Sequence, residues 1–278
     1  MNSARNLAIA TTILTITLVI TATSTIDWDL LHQWVTPGSV FGQFFNWFGE
    51  LPAVIALYAA FLILLGSRNR QGLWPAILSH TLAWPLLGLA AWAMFYIPLH
   101  YIHEFKQTGM PEEVFGRTLF LAGFVLVLTM LLAHRVPTEV FGKYRRIAVF
   151  IIVFVVLEFV LVNLAKMAWG RPRMRSIDSI EQFHYWYQLA GPAANEEFKS
   201  FPSGHTANGF VMLALTLFVP PEKKELFRWV TAFAITWGIC VALSRVIVGA
   251  HFLSDVVVGG YISLLLFYSQ SGLLMKQS

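Results

Sequence analysis

Charge is scarce in this chain. Of 278 residues only 12% are Asp, Glu, Lys or Arg, while 57% are hydrophobic; a soluble domain carries about 25% charged residues. That excludes an ordinary soluble globule and leaves an integral membrane protein, of a length that suits one helical bundle. Cysteine is nearly absent. The single one, Cys240, lies inside an apolar run, so no disulfide can close within the chain and no redox compartment can be read from it. Also lacking are a basic arm and an aromatic RNA-binding motif, so the net charge of +4 reads as loop bias that orients membrane spans rather than as nucleic-acid binding. No carboxylate cluster suits Mg²⁺, no repeat of about 20–50 residues is visible, and there is no low-complexity tract.

Apolar runs fill the space. The 23 Phe and 10 Trp suit lipid contact and interfacial belts. The runs predict eight membrane helices, at approximately 7–26, 51–66, 73–97, 117–133, 147–165, 204–220, 226–247 and 252–274. Leu7 to Ile26 is long enough to span a bilayer and reads as a retained first helix, despite a weak cleavage-like Thr21-Ala22-Thr23. Phe41 to Phe48 either extends the second run or lies flat in the interface. Pro75 and Pro85 predict a kinked start or a bend in the third. Eight spans put both termini on one side, together with Arg5, Arg68, Arg70, Arg135, Lys143, Arg145, Arg146, Lys223, Lys224, Arg228 and Lys276. Asp27, Asp29, Glu104, Glu112 and Glu113 fall on the other side. The positive-inside rule then makes both termini cytoplasmic.

Three polar stretches, Lys166 to Arg173, Phe201 to His205 and Ser244 to Asp255, abut these runs. The span count places all three at the outer face. Polar groups at a membrane boundary are expensive to desolvate, so the set is a candidate site. In the last stretch His251 opens a helix and Asp255 lies four residues on, on the same face. Asp255 is therefore expected to accept the Nδ1 proton of His251, leaving Nε2 as a nucleophile; a bare helix-cap pair is the alternative. Phe201-Pro202-Ser203-Gly204-His205 sits where a loop becomes a helix. Ser203 reads as an N-cap, the free N–H groups and helix dipole attract anions, and Gly204 admits a phosphate close to the backbone. His205 is placed to give a proton to a leaving oxygen and later take one from water. Lys166 and Arg173 suit neutralisation of phosphate oxygens, whereas Arg171 and Arg175 read as lipid head-group anchors.

The spacing Lys166-x6-Arg173, then Pro202-Ser203-Gly204-His205, then Ser244-Arg245-x5-His251-x3-Asp255 resembles the three-part signature of the type 2 phosphatidic acid phosphatase superfamily. The family's first part usually ends Arg-Pro; here Met174 follows Arg173, and Arg171-Pro172 supplies an Arg-Pro two residues early. The Lys-to-Arg spacing favours Arg173 as the phosphate ligand over a register shifted to Arg171. The resemblance implies an all-α polytopic bundle of about eight transmembrane helices, with a phosphatase-like core over 147–278 that includes an outer-face loop at 174–200. Residues 1–146 would be an added transmembrane module of about four helices. It further implies that His251 attacks phosphorus to form a phosphohistidine, held by Asp255, with His205 as general acid and then base. Lys166, Arg173, Ser203, Gly204 and Arg245 would hold the phosphoryl oxygens. Fixed cations then do the work of a metal, and neither metal nor cofactor is expected. The implied substrate is a lipid phosphomonoester or diphosphate, the outer-face site favouring undecaprenyl diphosphate. Phosphatidylglycerophosphate, phosphatidic acid and a phosphotransferase reaction remain alternatives.

Other polar groups stay unassigned. The 174–200 segment is the one long irregular stretch; its Phe183 to Tyr187 cluster reads as a lid folded onto the membrane surface or as ordinary interfacial aromatics. His80, Trp84, Trp92, Glu158 and Asn163 lie at membrane depth, where such groups usually pack inside the bundle with a hydrogen-bond partner. His100 and His103 flank Tyr101 in an expected outer loop with Glu104, a weak metal pattern, and His184 has no evident role.

Overall fold

A computed structural model describes residues 3–67 and 73–276. Arg68 and Arg70 lie outside the described residues, as do the side chains of Pro75, His80 and Lys276. All regular structure among the described residues is helical: α1 (Ser3–Thr23), α2 (Ile26–Trp34), α3 (Val40–Phe48), α4 (Leu51–Gly66), α5 (Leu73–Phe105), α6 (Glu112–Ala133), α7 (Thr138–Trp169), α8 (Gly204–Phe210), α9 (Lys224–Ile247) and α10 (Leu253–Lys276). Among the described residues seven segments are long and apolar enough to cross a membrane. The expected span at 204–220 is split: α8 has 7 residues, and Val211–Phe218 continues as 8 residues of 3-10 helix. At about 1.5 Å per α residue and 2.0 Å per 3-10 residue, the pair still reaches about 26 Å, close to the thickness of a hydrocarbon core.

Two boundaries differ from expectation for identifiable reasons. Pro52 sits near the start of α4; it has no N–H and its ring crowds the carbonyl four residues back, so the chain breaks at Gly49-Glu50. Phe41 to Phe48 accordingly forms α3, continuous with α4 as one 27-residue span, Val40–Gly66, and packs along α9 rather than lying flat. The third run does not stop at 97. Helix α5 carries Pro85 and Pro98 inside it and ends at Phe105, so His100, Tyr101 and His103 ride its last turns instead of an outer loop. Proline in a membrane helix is tolerated where neighbours re-satisfy the freed backbone groups.

Three apolar cores hold the bundle. One joins Phe150, Ile151 and Phe154 of α7 to Phe210, Leu213 and Phe267. A second, among α4, α5 and α6, contains Tyr58, Phe61, Leu87, Ala91 and Ala122. The third lies beneath the 174–200 segment, where Met174, Ile177 and Phe183 meet Val246, Phe252 and Val256. That segment is therefore anchored to the bundle through Met174, Ile177 and Phe183, while Tyr187 and Leu189 stay exposed. Phe183 is buried between Trp28 and Phe252. Short 3-10 turns at Met174–Ser176, Ile180–Gln182 and Glu196–Phe198 shape it. Hydrogen bonds tie it down: Trp169 Nε1 donates to Trp186 O at 2.5 Å and Trp186 Nε1 to Leu18 O at 3.2 Å. The connections after α2, α5, α7 and α9 meet at one end of the bundle, joined by Thr36 N to Ile247 O (2.7 Å) and Arg175 to Glu104 (3.2 Å).

Candidate active site

The turn between α9 and α10 sets His251. Gly249, at φ 72°, takes the left-handed conformation that reverses the chain there, and the amides of Ala250 and His251 donate to Arg245 O at 3.0 and 3.2 Å. His251 lies two residues before α10 rather than on it. Asp255, in the first turn of α10, reaches back to accept from Phe252 N at 3.0 Å, the acid half of a capping box. It also accepts from Ser200 Oγ at 2.6 Å and from Arg171 Nη1 at 2.5 Å. Its Oδ2 stands 3.6 Å from His251 Nδ1: adjacent, but longer than a hydrogen bond, and Nδ1 has no other partner. Burial, with Lys166, Arg173 and Arg245 nearby, holds the His251 imidazole well below its ordinary range, so the ring is neutral.

Arg171 is not a head-group anchor. It is wholly buried, paired with Asp255 at 2.5 Å and with Asp27 of α2 at 3.2 Å, and its Nε donates to His184 O at 2.8 Å. Ser254 ties the same knot, accepting from Arg171 Nη1 at 2.7 Å and donating to Asp27 Oδ2 at 2.5 Å. Two carboxylates share one guanidinium, and burial pushes the Asp27 carboxyl above its usual range. Arg175 is half exposed and pairs with Glu197 at 2.8 Å.

The loop ahead of α8 brings the second histidine. Ser203 caps α8, its Oγ accepting from Thr206 N at 3.4 Å, and its own amide donates to Asp255 O at 3.0 Å. A side chain on Gly259 would stand 2.2 Å from Ser203 O, so α10 presses directly on this loop. His205 is buried. Its Nδ1 lies 3.2 Å from Glu50 Oε1 and its Nε2 lies 3.3 Å from the Asn46 carbonyl. Tyr101 covers the ring, centroids 4.7 Å apart.

The two imidazoles face one cavity of about 660 Å³. Lys166, Arg173, Gly204 and Arg245 share its wall, as do Glu50, Tyr101, Asn208 and, deeper, Val155, Glu158 and Val162. Lys166 is in the last turn of α7 and donates to Lys199 O at 3.2 Å. Arg173 is held by Glu196 O at 3.0 Å. Arg245, in the last turn of α9, donates through Nη1 to Asn46 Oδ1, while its buried Nε has no acceptor. Lys166, Arg173 and Arg245 around two imidazoles, one donor left open, make a receptacle for a tetrahedral anion, while Arg175, also on the cavity wall, is paired with Glu104 and Glu197. Among the described residues no group of three His, Cys, Asp or Glu is placed to hold a metal ion.

Of the residues expected from the sequence, His205, His251, Lys166, Arg173, Gly204 and Arg245 share the cavity. Ser203 and Asp255 stand behind it, fully buried. His100 and His103 do not join: His100 stacks on Tyr96, and His103 Nδ1 bonds Thr108 Oγ1 at 2.8 Å. Sequence reading missed Asp27, Asn46, Glu50 and Tyr101, all from residues 1–146. An amide and a carboxylate inside an apolar run, Asn46 and Glu50 flanking Trp47-Phe48-Gly49, were the available signal.

Residues 146–275 match the PAP2 superfamily model, so this part of the chain is similar to the domains of that superfamily. Curated relatives carry the name lipid A 1-phosphatase. The protein from Rhizobium etli is 39% identical over 129 residues, covering 44% of this chain and 50% of that protein. The one from Rhizobium johnstonii is 36% identical over 131 residues, 44% and 48%. A lipid A 4'-phosphatase of Rhizobium leguminosarum is 37% identical over 112 residues, 39% and 46%. The chain thus spans about half the length of the curated relatives it matches. No solved structure matches.

Proposed function

We propose that the chain is an integral membrane phosphatase acting on a phosphorylated lipid. The observation that carries this reading is the shared cavity: two imidazoles facing Lys166, Arg173 and Arg245, with Arg245 Nε lacking an acceptor. His251 Nε2 attacks phosphorus while the bond from phosphorus to the lipid oxygen breaks, and His205 gives its proton to that oxygen. Water then attacks the phosphohistidine, His205 takes a proton from it, and inorganic phosphate leaves with His251 restored. The three cations and the α8 amides behind Gly204 neutralise the charge spread over the equatorial oxygens. Asp255, pinned by Arg171 and Ser200, steadies the imidazolium side of the intermediate.

The cavity descends past the cations along α7, where Glu158 lies about 12 Å below Lys166 by helix rise and keeps one carboxylate oxygen without a partner. A substrate therefore places its phosphate among the cations and its first uncharged atoms between α4, α5 and α7. The relatives' names favour a phosphorylated saccharolipid such as lipid A. Undecaprenyl diphosphate is the second reading, favoured by a site at the membrane end that carries the acidic loops; by the positive-inside rule that end faces outward, with both termini cytoplasmic.

The test is phosphate release in detergent with chelator present, comparing lipid A 1-phosphate, undecaprenyl diphosphate, phosphatidylglycerophosphate and phosphatidic acid. Wild-type protein releases phosphate from at least one of them and His251→Ala from none. Equal release by the two proteins would end the reading. Release that requires an added acceptor lipid would mark a phosphotransferase.

A further inference from the structure

Glu50 sits at the break between α3 and α4, far in sequence from every polar stretch that marks the site, yet its carboxylate is wired into the second histidine. Oε1 stands 3.2 Å from His205 Nδ1 and accepts from Asn208 Nδ2 at 3.1 Å. Oε2 accepts from Tyr101 OH at 3.4 Å. Asn208 is three residues after His205 on α8, so the helix that presents the imidazole also presents the amide that holds its partner. Tyr101 closes the assembly from α5 by covering the ring. The break ahead of Pro52 is where Glu50 sits, as the residue before the first turn of α4.

From this geometry we infer that Glu50 is the positioning residue of the general acid: it holds Nδ1–H of His205 and so aims Nε2 at the leaving oxygen. The arrangement mirrors Asp255 beside His251, one carboxylate for each imidazole, but the second comes from a different part of the chain. Both ring nitrogens of His205 face acceptors, Glu50 Oε1 and the Asn46 carbonyl. With its proton on Nδ1 against Glu50 the ring presents Nε2 toward the Asn46 carbonyl, and only a ring protonated on both nitrogens can donate from Nε2. The groups facing His205 are Glu50 from the α3–α4 junction, Tyr101 from α5, Lys166 from α7, Arg245 from α9 and His251 from the turn after it. Glu50 is the one carboxyl group among them, and it stands within reach of Nδ1. A purely structural reading, Glu50 as the acceptor that satisfies Asn208 and Tyr101, leaves the approach to Nδ1 unexplained.

The inference rests on the phosphatase reading, and the test separates the two. Glu50→Gln and Glu50→Asp are compared with wild type, His205→Asn and His251→Ala on two substrates. One is a lipid phosphate, whose alkoxide must be protonated as it leaves. The other is p-nitrophenyl phosphate, whose leaving group needs no proton, read as the pre-steady-state burst of nitrophenol. Glu50→Gln is expected to lower kcat on the lipid at least about 30-fold, within the range of lost general-acid catalysis, and the burst rate less than about 3-fold. His205→Asn should show the same asymmetry, and Glu50→Asp should recover part of the loss. Unchanged lipid turnover in Glu50→Gln, or equal loss on both substrates, would overturn the assignment. An inactive wild type, or an active His251→Ala, would instead overturn the phosphatase reading.

Discussion

Two arginines separated by one proline do opposite jobs, and only their surroundings tell them apart. Arg171 has no exposed surface and joins Asp27 to Asp255. Removing one partner of a buried pair leaves uncompensated charge and costs about 3–5 kcal/mol. Arg171→Met is therefore expected to lower the thermal midpoint sharply in detergent, and adding Asp27→Asn should recover part of it. Arg173 faces the cavity; Arg173→Ala should leave the midpoint nearly unchanged and reduce kcat/KM about 100-fold or more, as loss of a preorganised oxyanion donor does. The reverse pattern would mean that Arg171 is the phosphate ligand. His251 adds a pH dependence. Its folded imidazole titrates well below the ordinary range, so below about pH 6.5 the unfolded chain binds a proton that the folded chain refuses. Stability should fall as pH drops from 7 to 5, and His251→Asn should flatten that fall. A midpoint that rises on acidification would contradict the buried neutral ring.

Helices set these side chains through three local devices: the Pro52 break, the Asp255 capping box and the contact of α10 with the Ser203 loop. The last is testable on its own. A Cβ at residue 259 would meet backbone Ser203 O at 2.2 Å, and backbone cannot swing aside. Gly259→Ala should push α10 from the loop that presents Gly204 and His205. Misplacement of about 1 Å costs on the order of 100-fold in rate, so a large drop in phosphate release is expected while the protein still inserts and extracts normally. Full activity would show that the loop follows the helix. At this scale the sequence was legible in part. Ser203 as an N-cap and Lys166 in a final turn follow from local chemistry. The run through Pro98 to Phe105 does not, because proline reads as a stop signal and only the packed neighbours of α5 override it. The 174–200 segment shows the same limit: its aromatics read as interfacial, and nothing local says that Trp28 and Phe252 enclose Phe183.

Across the whole molecule the boundary near residue 147 does not divide the site. Asp27, Asn46, Glu50 and Tyr101 come from the first half and pack against Arg171, Arg245 and His205 of the second. Orientation is the remaining global expectation. In a background with Cys240→Ser, a cysteine at Glu181, exposed in the 174–200 segment, should react with a membrane-impermeant maleimide in intact cells. One at Glu222, exposed at the opposite end, should react only after lysis. The opposite labelling would put the site inside.

The sequence by itself determined the membrane class, nearly every span and most of the polar residues that meet in one cavity, since hydropathy and short-range spacing are written along the chain. The tertiary structure alone decided that Arg171 is buried between two carboxylates while Arg173 lines the cavity, that Glu50 stands beside His205, and that Met174, Ile177 and Phe183 anchor the 174–200 segment in a core. Those depend on contacts between residues up to 227 positions apart, such as Asp27 with Ser254. Burial, not local pattern, turns such a pair from two surface charges into a buried support.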